Sequence, residues 1–335
     1  MIQGRSAADA DELESGRALQ RREWPSVRIL ALAGGGYRGL FTAAVLEQLE
    51  ASMQGRKLAD TFDVFAGTSI GGLIACALAT GMPAATIRAK IQESGAKVFV
   101  PRVAATARRI AGPPLYDALA LQQAVRSCLA DAADLPIGNV DKGLVVTSIS
   151  TVTGAPVLYR SSWFGTHAYQ ATLLGDVCMA TSAAPTYFRA HQSGPDQGPM
   201  VDGGLVANSP DLLALLEVVA TRPTALPTIE MLSIGTAGVG SGGMAGDVPA
   251  TGLGWALKAV PFMIAAQERL AVTQAAALLP GRYVRINHEP EPGQRALSEM
   301  STVDSSMTGT LTTLAEHAVN SAIARDAARL TRILR

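Results

Sequence analysis

Twice within its first eighty residues the chain passes from a short apolar run through a glycine-dense turn into an apolar helical pattern. Residues 27–33 (VRILALA) lead into Gly34-Gly35-Gly36, after which Leu40, Ala43, Ala44, Leu46 and Leu49 recur at helical spacing. Residues 61–66 (TFDVFA) lead into Gly67-Thr68-Ser69-Ile70-Gly71-Gly72, and residues 73–80 then read as a helix stopped by Gly81 and Pro83. A strand without polar alternation is buried on both faces, and such strand, turn and helix successions bury it by placing helices on both sides of a parallel sheet. An α/β fold is therefore expected. Further strands are indicated at 143–150, 157–160 and 228–234, and further helices at 119–130, 173–180, 211–220, 255–279 and 311–334. Residues 235–254 hold eight glycines and read as a mobile loop.

The 335 residues, 48% hydrophobic and 17% charged, suffice for one large core. Residues 1–25 are expected to be a polar leader, residues 26–335 a single domain, and residues 235–335 a glycine-rich loop followed by a helical cap. The 28 basic and 28 acidic side chains cancel, so no overall field draws in a nucleic acid polymer. Cys76, Cys128 and Cys178 lie far apart in sequence and outside any CxxC, which argues against a disulfide framework or a zinc site and for a reducing, cytoplasmic setting. The leader lacks the apolar run of a secretory signal, and Lys258, Pro261, Glu268 and Arg269 interrupt the most apolar long stretch too often for a bilayer span. Charge is concentrated in residues 86–110. There Arg88, Lys90, Lys97, Arg102, Arg108 and Arg109 face the single acid Glu93, interleaved with apolar Ile91, Val98, Phe99, Val100 and Val103. Such a segment suits an anionic lipid surface, a nucleotide phosphate or plain solvation.

Gly67-x-Ser69-x-Gly71 between a strand and a helix matches the nucleophile elbow, a sharp turn that presents the serine oxygen above a sheet; a plain glycine turn is the alternative. Gly34, Gly35 and Gly36, followed by Arg38 and Gly39, also open a helix. Their backbone amides suit a phosphate, since Gly34, Gly36 and Gly39 satisfy GxGxxG, or the oxyanion of an acyl intermediate. The acid expected about twenty residues on in a dinucleotide fold is missing, which favours the oxyanion. Arg38 fits a brace for the loop or a contact to lipid phosphate. A serine needs a base, and His167, His191, His288 and His317 have no signature around them; His288 is the one tolerable choice for a Ser-His-Asp esterase. Asp202-Gly203-Gly204 is the better partner, because two glycines let the backbone approach closely and aim the carboxylate into a site. Hydrogen-bonded to Ser69 in a partly dry pocket, Asp202 would be raised toward the range of a general base.

Together these residues resemble the patatin-like phospholipase family, marked by a glycine-rich oxyanion loop with a following arginine, a GxSxG elbow and a DG[GA] acid, here in family order. Residues 180–188 (ATSAAPTYF) and Ser233-Ile234-Gly235-Thr236 are similar to further family blocks, and Ala33 departs from the aspartate many members carry there. The resemblance covers residues 27–240. It implies a three-layer α/β/α sandwich with a mainly parallel sheet and calcium-independent hydrolysis of lipid acyl esters through an acyl-serine intermediate. Ser69 would be the nucleophile and Asp202 its base, with no histidine and no metal or other required cofactor. Gly35 and Gly36 would be the main oxyanion donors, with Gly34 and Arg38 completing the loop. Within the family the layout is similar to the phospholipase effectors of cyclic-oligonucleotide antiphage systems, which attack the cell's own membrane once a nucleotide second messenger binds. The implied partners are membrane phospholipid, a cyclic dinucleotide activator and further copies of the chain. The implied location is the cytoplasm, peripheral to the inner membrane when active. Competing expectations are an ungated patatin-like lipase, a soluble esterase using His288, a scaffold without turnover and a nucleotide-binding module built on Gly34 to Gly39.

Overall fold

The computed structural model describes residues 26–101, 113–194, 197–238, 249–289 and 301–335. The leader, Arg102, Val103, Arg108 and Arg109 of the basic segment, and residues 239–248 of the glycine-rich loop lie outside the described residues.

Strand β1 (Arg28–Leu32) occupies the middle of the sheet because both of its faces are apolar. Leu30 and Leu32 enter one hydrophobic cluster and Ile29 and Ala31 the other. The same division holds for β2 (Val64–Gly67), whose Phe65 points one way and whose Val64 and Ala66 point the other. Strand β3 (Gly143–Ser150) runs parallel to β2, and β4 (Pro156–Arg160) closes that edge antiparallel to β3. On the other side of β1 lie β6 (Glu230–Ile234) and then β7 (Tyr283–Ile286), both parallel. The spatial order is β4-β3-β2-β1-β6-β7.

Helices cover both faces. One layer contains α1 (Gly39–Ser52), α2 (Ile70–Ala79), α3 (Ala84–Val98), α4 (Ala118–Leu129), α5 (Leu174–Thr181) and α8 (Ser305–Leu334), all contributing to the larger cluster. The opposite layer contains α6 (Asp211–Thr221) and α7 (Gly252–Leu278), with Ala214, Leu215, Val218 and Ala275 in the smaller cluster. The architecture is a three-layer α/β/α sandwich around a mainly parallel sheet. The C-terminal third, expected as a cap, is divided by β7 and distributed between the two layers and the sheet edge. Among the described residues no helix is long and apolar enough to cross a membrane.

The seventh strand departs from the regular order and sets up the rest. Strand β2 follows β3 only as far as Gly67, opposite Val146, whereas β3 continues to Ser150. Into the vacated ladder comes β5 (Met200–Asp202), antiparallel, with Asp202 opposite Ser148 and Met200 opposite Ser150. Ser148 lies in the buried ladder and donates from Oγ to the Val201 carbonyl at 2.7 Å. Replacing Ser148 by alanine leaves that carbonyl short of a partner and should lower stability by about 1 kcal/mol in urea unfolding. Unchanged stability would show that the backbone ladder alone holds β5.

Candidate active site

The chain leaves β2 at Gly67 and must reverse into α2 within three residues. Gly67 and Gly71 make this possible. A Cβ on Gly67 would meet the Gly71 carbonyl and one on Gly71 the Leu32 carbonyl, each closer than real Cβ contacts come. Between them Ser69 adopts φ 55° and ψ −127°, a conformation that L side chains rarely hold and that costs on the order of 1–3 kcal/mol. Its amide donates to Thr181 Oγ1 at 2.8 Å, and the Thr68 hydroxyl is tied to the Ala207 carbonyl at 2.6 Å. The turn is thus clamped from α5 and from the segment after β5.

Because β5 resumes where β2 stops, it delivers Asp202 directly beside this elbow. The Asp202 carboxylate shares the cavity wall with Ser69, whose hydroxyl lies close enough to lower its pKa, and the Gly204 amide donates to Asp202 Oδ1 at 2.7 Å. Those two contacts favour the charged form. Burial opposes them and wins, so the Asp202 pKa is raised from 3.8 to about 6.

After β1 the chain turns through the three glycines into α1. Gly36 has φ 58°, which glycine adopts without strain. The Ala33 amide donates to the Ile234 carbonyl at 3.0 Å and the Gly34 amide to the Asn208 carbonyl at 2.9 Å. The Gly34 proton is therefore committed to scaffolding, a correction to its place among the oxyanion-binding glycines. The Gly35 and Gly36 amides have no hydrogen-bond partner among the described residues, which leaves them open to an anion at the N-terminal end of α1. Arg38 is buried at 2% exposure, with Nε 3.4 Å from the Gly35 carbonyl. Burial lowers its pKa to about 10, partly offset by Glu268 and Tyr187. This is the geometry of a brace; an arginine so enclosed does not reach a lipid phosphate.

A cavity opens from this constellation. Ser69, Asp202 and Gly36 line one part, and Leu73, Ile91, Val98, Leu121, Tyr187 and Phe188 supply much of its apolar wall. The cavity has a volume of about 100 Å³ and opens to solvent.

With the elbow, the acid and the glycine loop on one cavity, relatives can be compared. The family model for patatin-like phospholipase matches residues 30–215. The chain belongs to the patatin-like phospholipase family. It is 33% identical over 313 residues to a cGAMP-activated phospholipase of Pseudomonas aeruginosa, covering 89% of this chain and 90% of that protein. Proteins of the same description from Escherichia coli and Vibrio cholerae are 31% and 33% identical; the matches cover 64% and 63% of this chain, and 63% and 64% of those proteins. Membership makes this a lipid ester hydrolase of the patatin type.

The histidines stand apart from the patatin-like site. His167 bonds the Phe164 carbonyl, His191 bonds Asp176, and His317 lies on α8. His288 follows β7, three ladder steps from β2 or about 14 Å at about 4.8 Å per step, and no histidine lines the cavity. A Ser69–His288 pair is therefore not formed. The basic segment is also rearranged. Arg88 pairs with Glu47 at 2.7 Å and Lys97 with Glu93 at 3.0 Å, while Ile91 and Val98 turn inward to line the cavity. Its described part therefore supplies a wall of the cavity with Ile91 and Val98, while Lys97 and Val100 stay exposed.

Two supporting residues were not visible beforehand as parts of the site. Thr181 sits in the block read as a family feature, and Asn208 follows the acid motif by four residues after Gly204. Only the pairing of Thr181 with the elbow and of Asn208 with Gly34 reveals their roles.

Asp202 holds its proton more readily folded than unfolded. Its contribution favours the folded state below pH 3.8 and is lost as the pH rises through about 6. Asp202→Asn should therefore raise the thermal midpoint at pH 7, while a lowered midpoint would mean that the charged carboxylate is stabilising. Gly71→Ala should cost about 1–3 kcal/mol by overpacking the elbow, read by urea unfolding.

Proposed function

We propose that this chain is a phospholipase A that cleaves fatty-acyl esters of membrane glycerophospholipids with a Ser69–Asp202 dyad. The observation that carries the reading is that Ser69, Asp202 and the glycine loop at Gly36 line one largely apolar cavity. As Ser69 Oγ attacks the ester carbonyl, its proton passes to Asp202, and the carbonyl oxygen takes the developing negative charge. The free amides of Gly35 and Gly36 receive that charge, with Arg38 steadying the loop behind them. Collapse of the intermediate breaks the bond to the glycerol oxygen, which collects the proton from Asp202 and leaves as lysophospholipid. Water then attacks the acyl-serine, giving a proton to Asp202 and the new bond to the carbonyl carbon. Return of that proton to Ser69 releases the fatty acid. The apolar cavity suits an acyl chain, so lipid esters should be cleaved faster than short soluble esters.

The reading extends to control by a cyclic dinucleotide, supported by the cGAMP-activated relatives in three bacteria. Such control suits an enzyme whose substrate is the cell's own membrane, with nucleotide binding and catalysis coupled through two states of the protein.

Mixed glycerophospholipid vesicles, incubated with the protein and a panel of cyclic di- and trinucleotides, should release free fatty acid only with one nucleotide. Release without any nucleotide would reduce the reading to an ungated lipase, and Ser69→Ala should release none; full activity in that variant would sink the dyad. Because Asp202 must be unprotonated to act, kcat/KM should rise about tenfold from pH 5 to pH 7 with its midpoint near 6. A profile flat across that interval would exclude Asp202 as the base.

A further inference from the structure

Beneath the glycine loop lies a buried polar cluster that the dyad does not use. Asn208 grips Gly34 twice, accepting its amide proton through the backbone at 2.9 Å and placing Nδ2 3.4 Å from its carbonyl. The same Nδ2 donates to Glu268 Oε2 at 2.7 Å. Glu268 Oε1 accepts from Arg285 Nη2 at 2.8 Å, and Arg285 Nη1 donates to Ser233 Oγ at 2.6 Å and Ser209 Oγ at 3.0 Å. Asp211 Oδ2 stands 3.9 Å from Arg285, and Tyr283 donates its hydroxyl to Asp211 Oδ1 at 2.7 Å. Glu268 and Asp211 are buried, so the cluster sets two carboxylates against the Arg285 guanidinium, and the charge of Glu268 is also felt by the buried Arg38.

Glu268 belongs to α7 and Arg285 to β7, both beyond residue 215 where the family match ends. Stability is a weak account of such a pair, since apolar side chains of similar volume would anchor α7 as well without the cost of desolvating charge. Its position is the better account. Glu268 is the group that both orients the Asn208 amide under Gly34 and supplies negative charge near Arg38, the two supports of the loop that presents Gly35 and Gly36.

We propose that Glu268 is a positioning residue for the oxyanion loop, holding Asn208 against Gly34 while Arg285 fixes its other oxygen. The inference rests on the acyl-hydrolase reading and assigns the C-terminal third a direct part in the patatin-type site.

Glu268→Gln keeps the volume and an acceptor for Asn208 but removes the charge that faces Arg285. Under conditions where the wild type releases fatty acid, kcat should fall about tenfold or more with KM within about twofold, as for loss of transition-state contacts alone. Reaction of Ser69 with a long-chain fluorophosphonate, whose phosphonyl oxygen enters the same hole, should slow by a similar factor. Tyr283→Phe removes a bond at the far end of the cluster and should lower the thermal midpoint while leaving kcat near the wild-type value. Glu268→Asp retains the charge and shortens the reach; it should lose kcat to a smaller extent and serves if the glutamine variant fails to fold. Glu268 variants with kcat and phosphonate reaction within twofold of wild type would overturn the inference, as would losses that track the thermal midpoint equally in Tyr283→Phe. If the wild type neither hydrolyses lipid nor reacts with the phosphonate, the hydrolase reading fails and the inference falls with it.

Discussion

The structure turns on β3 serving as the template for two strands whose C-terminal ends meet. Strand β2 stops opposite Val146 and the antiparallel β5 ends opposite Ser148, so a hydrogen-bonded ladder, stiff in the strand direction, fixes how close serine and aspartate lie. A nucleophile and base need their side chains held within a few tenths of an ångström. A loop carrying Asp202 would rely on its own contacts for that accuracy. Here the sheet supplies it, and Thr181, Ala183 and Ala207 secure the two chain ends that converge on it.

The same placement concentrates cost in one small volume. Ser69 holds an unfavourable backbone conformation, Asp202 is buried where its charge is disfavoured, and two amides of the glycine loop point at nothing within the described protein. Each would be relaxed by a change that abolished the proposed chemistry. The surrounding core absorbs these costs through the large apolar clusters on both faces of the sheet, where β1, β2 and β6 contribute side chains alternately to either side. Strain at the site and dense packing around it are complementary features of one design.

Much of this was legible in the sequence, for physical reasons that differ between elements. The runs that became β1, β3 and β6 are apolar on both faces, so their burial could be read without knowing their neighbours. The turns at Gly34 to Gly36 and Gly67 to Gly71 were legible because so few residue types satisfy their geometry. Strands β5 and β7 were not read, being three and four residues long, and β7 carries Arg285 in its interior. Helix α3 was not read, because Arg88, Lys90 and Lys97 mask the spacing of Ile87, Ile91 and Val98, all of which are buried. Asp202 was found through the glycines after it, whereas Asn208 and Glu268 have no local signature. Their significance exists only as distances across the fold.

The order in which the loop's supports are synthesised has a consequence of its own. The glycine loop is made early, yet the Asn208 and Ile234 carbonyls that accept its amides, and the Thr236 hydroxyl that donates to Gly34, come some two hundred residues later. Domains are completed on the ribosome from the N-terminus onward, and contacts so distant in sequence cannot form until both ends have emerged. A growing chain therefore carries Ser69 long before the glycine loop has its supports, and a copy cut short before residue 208 never acquires them.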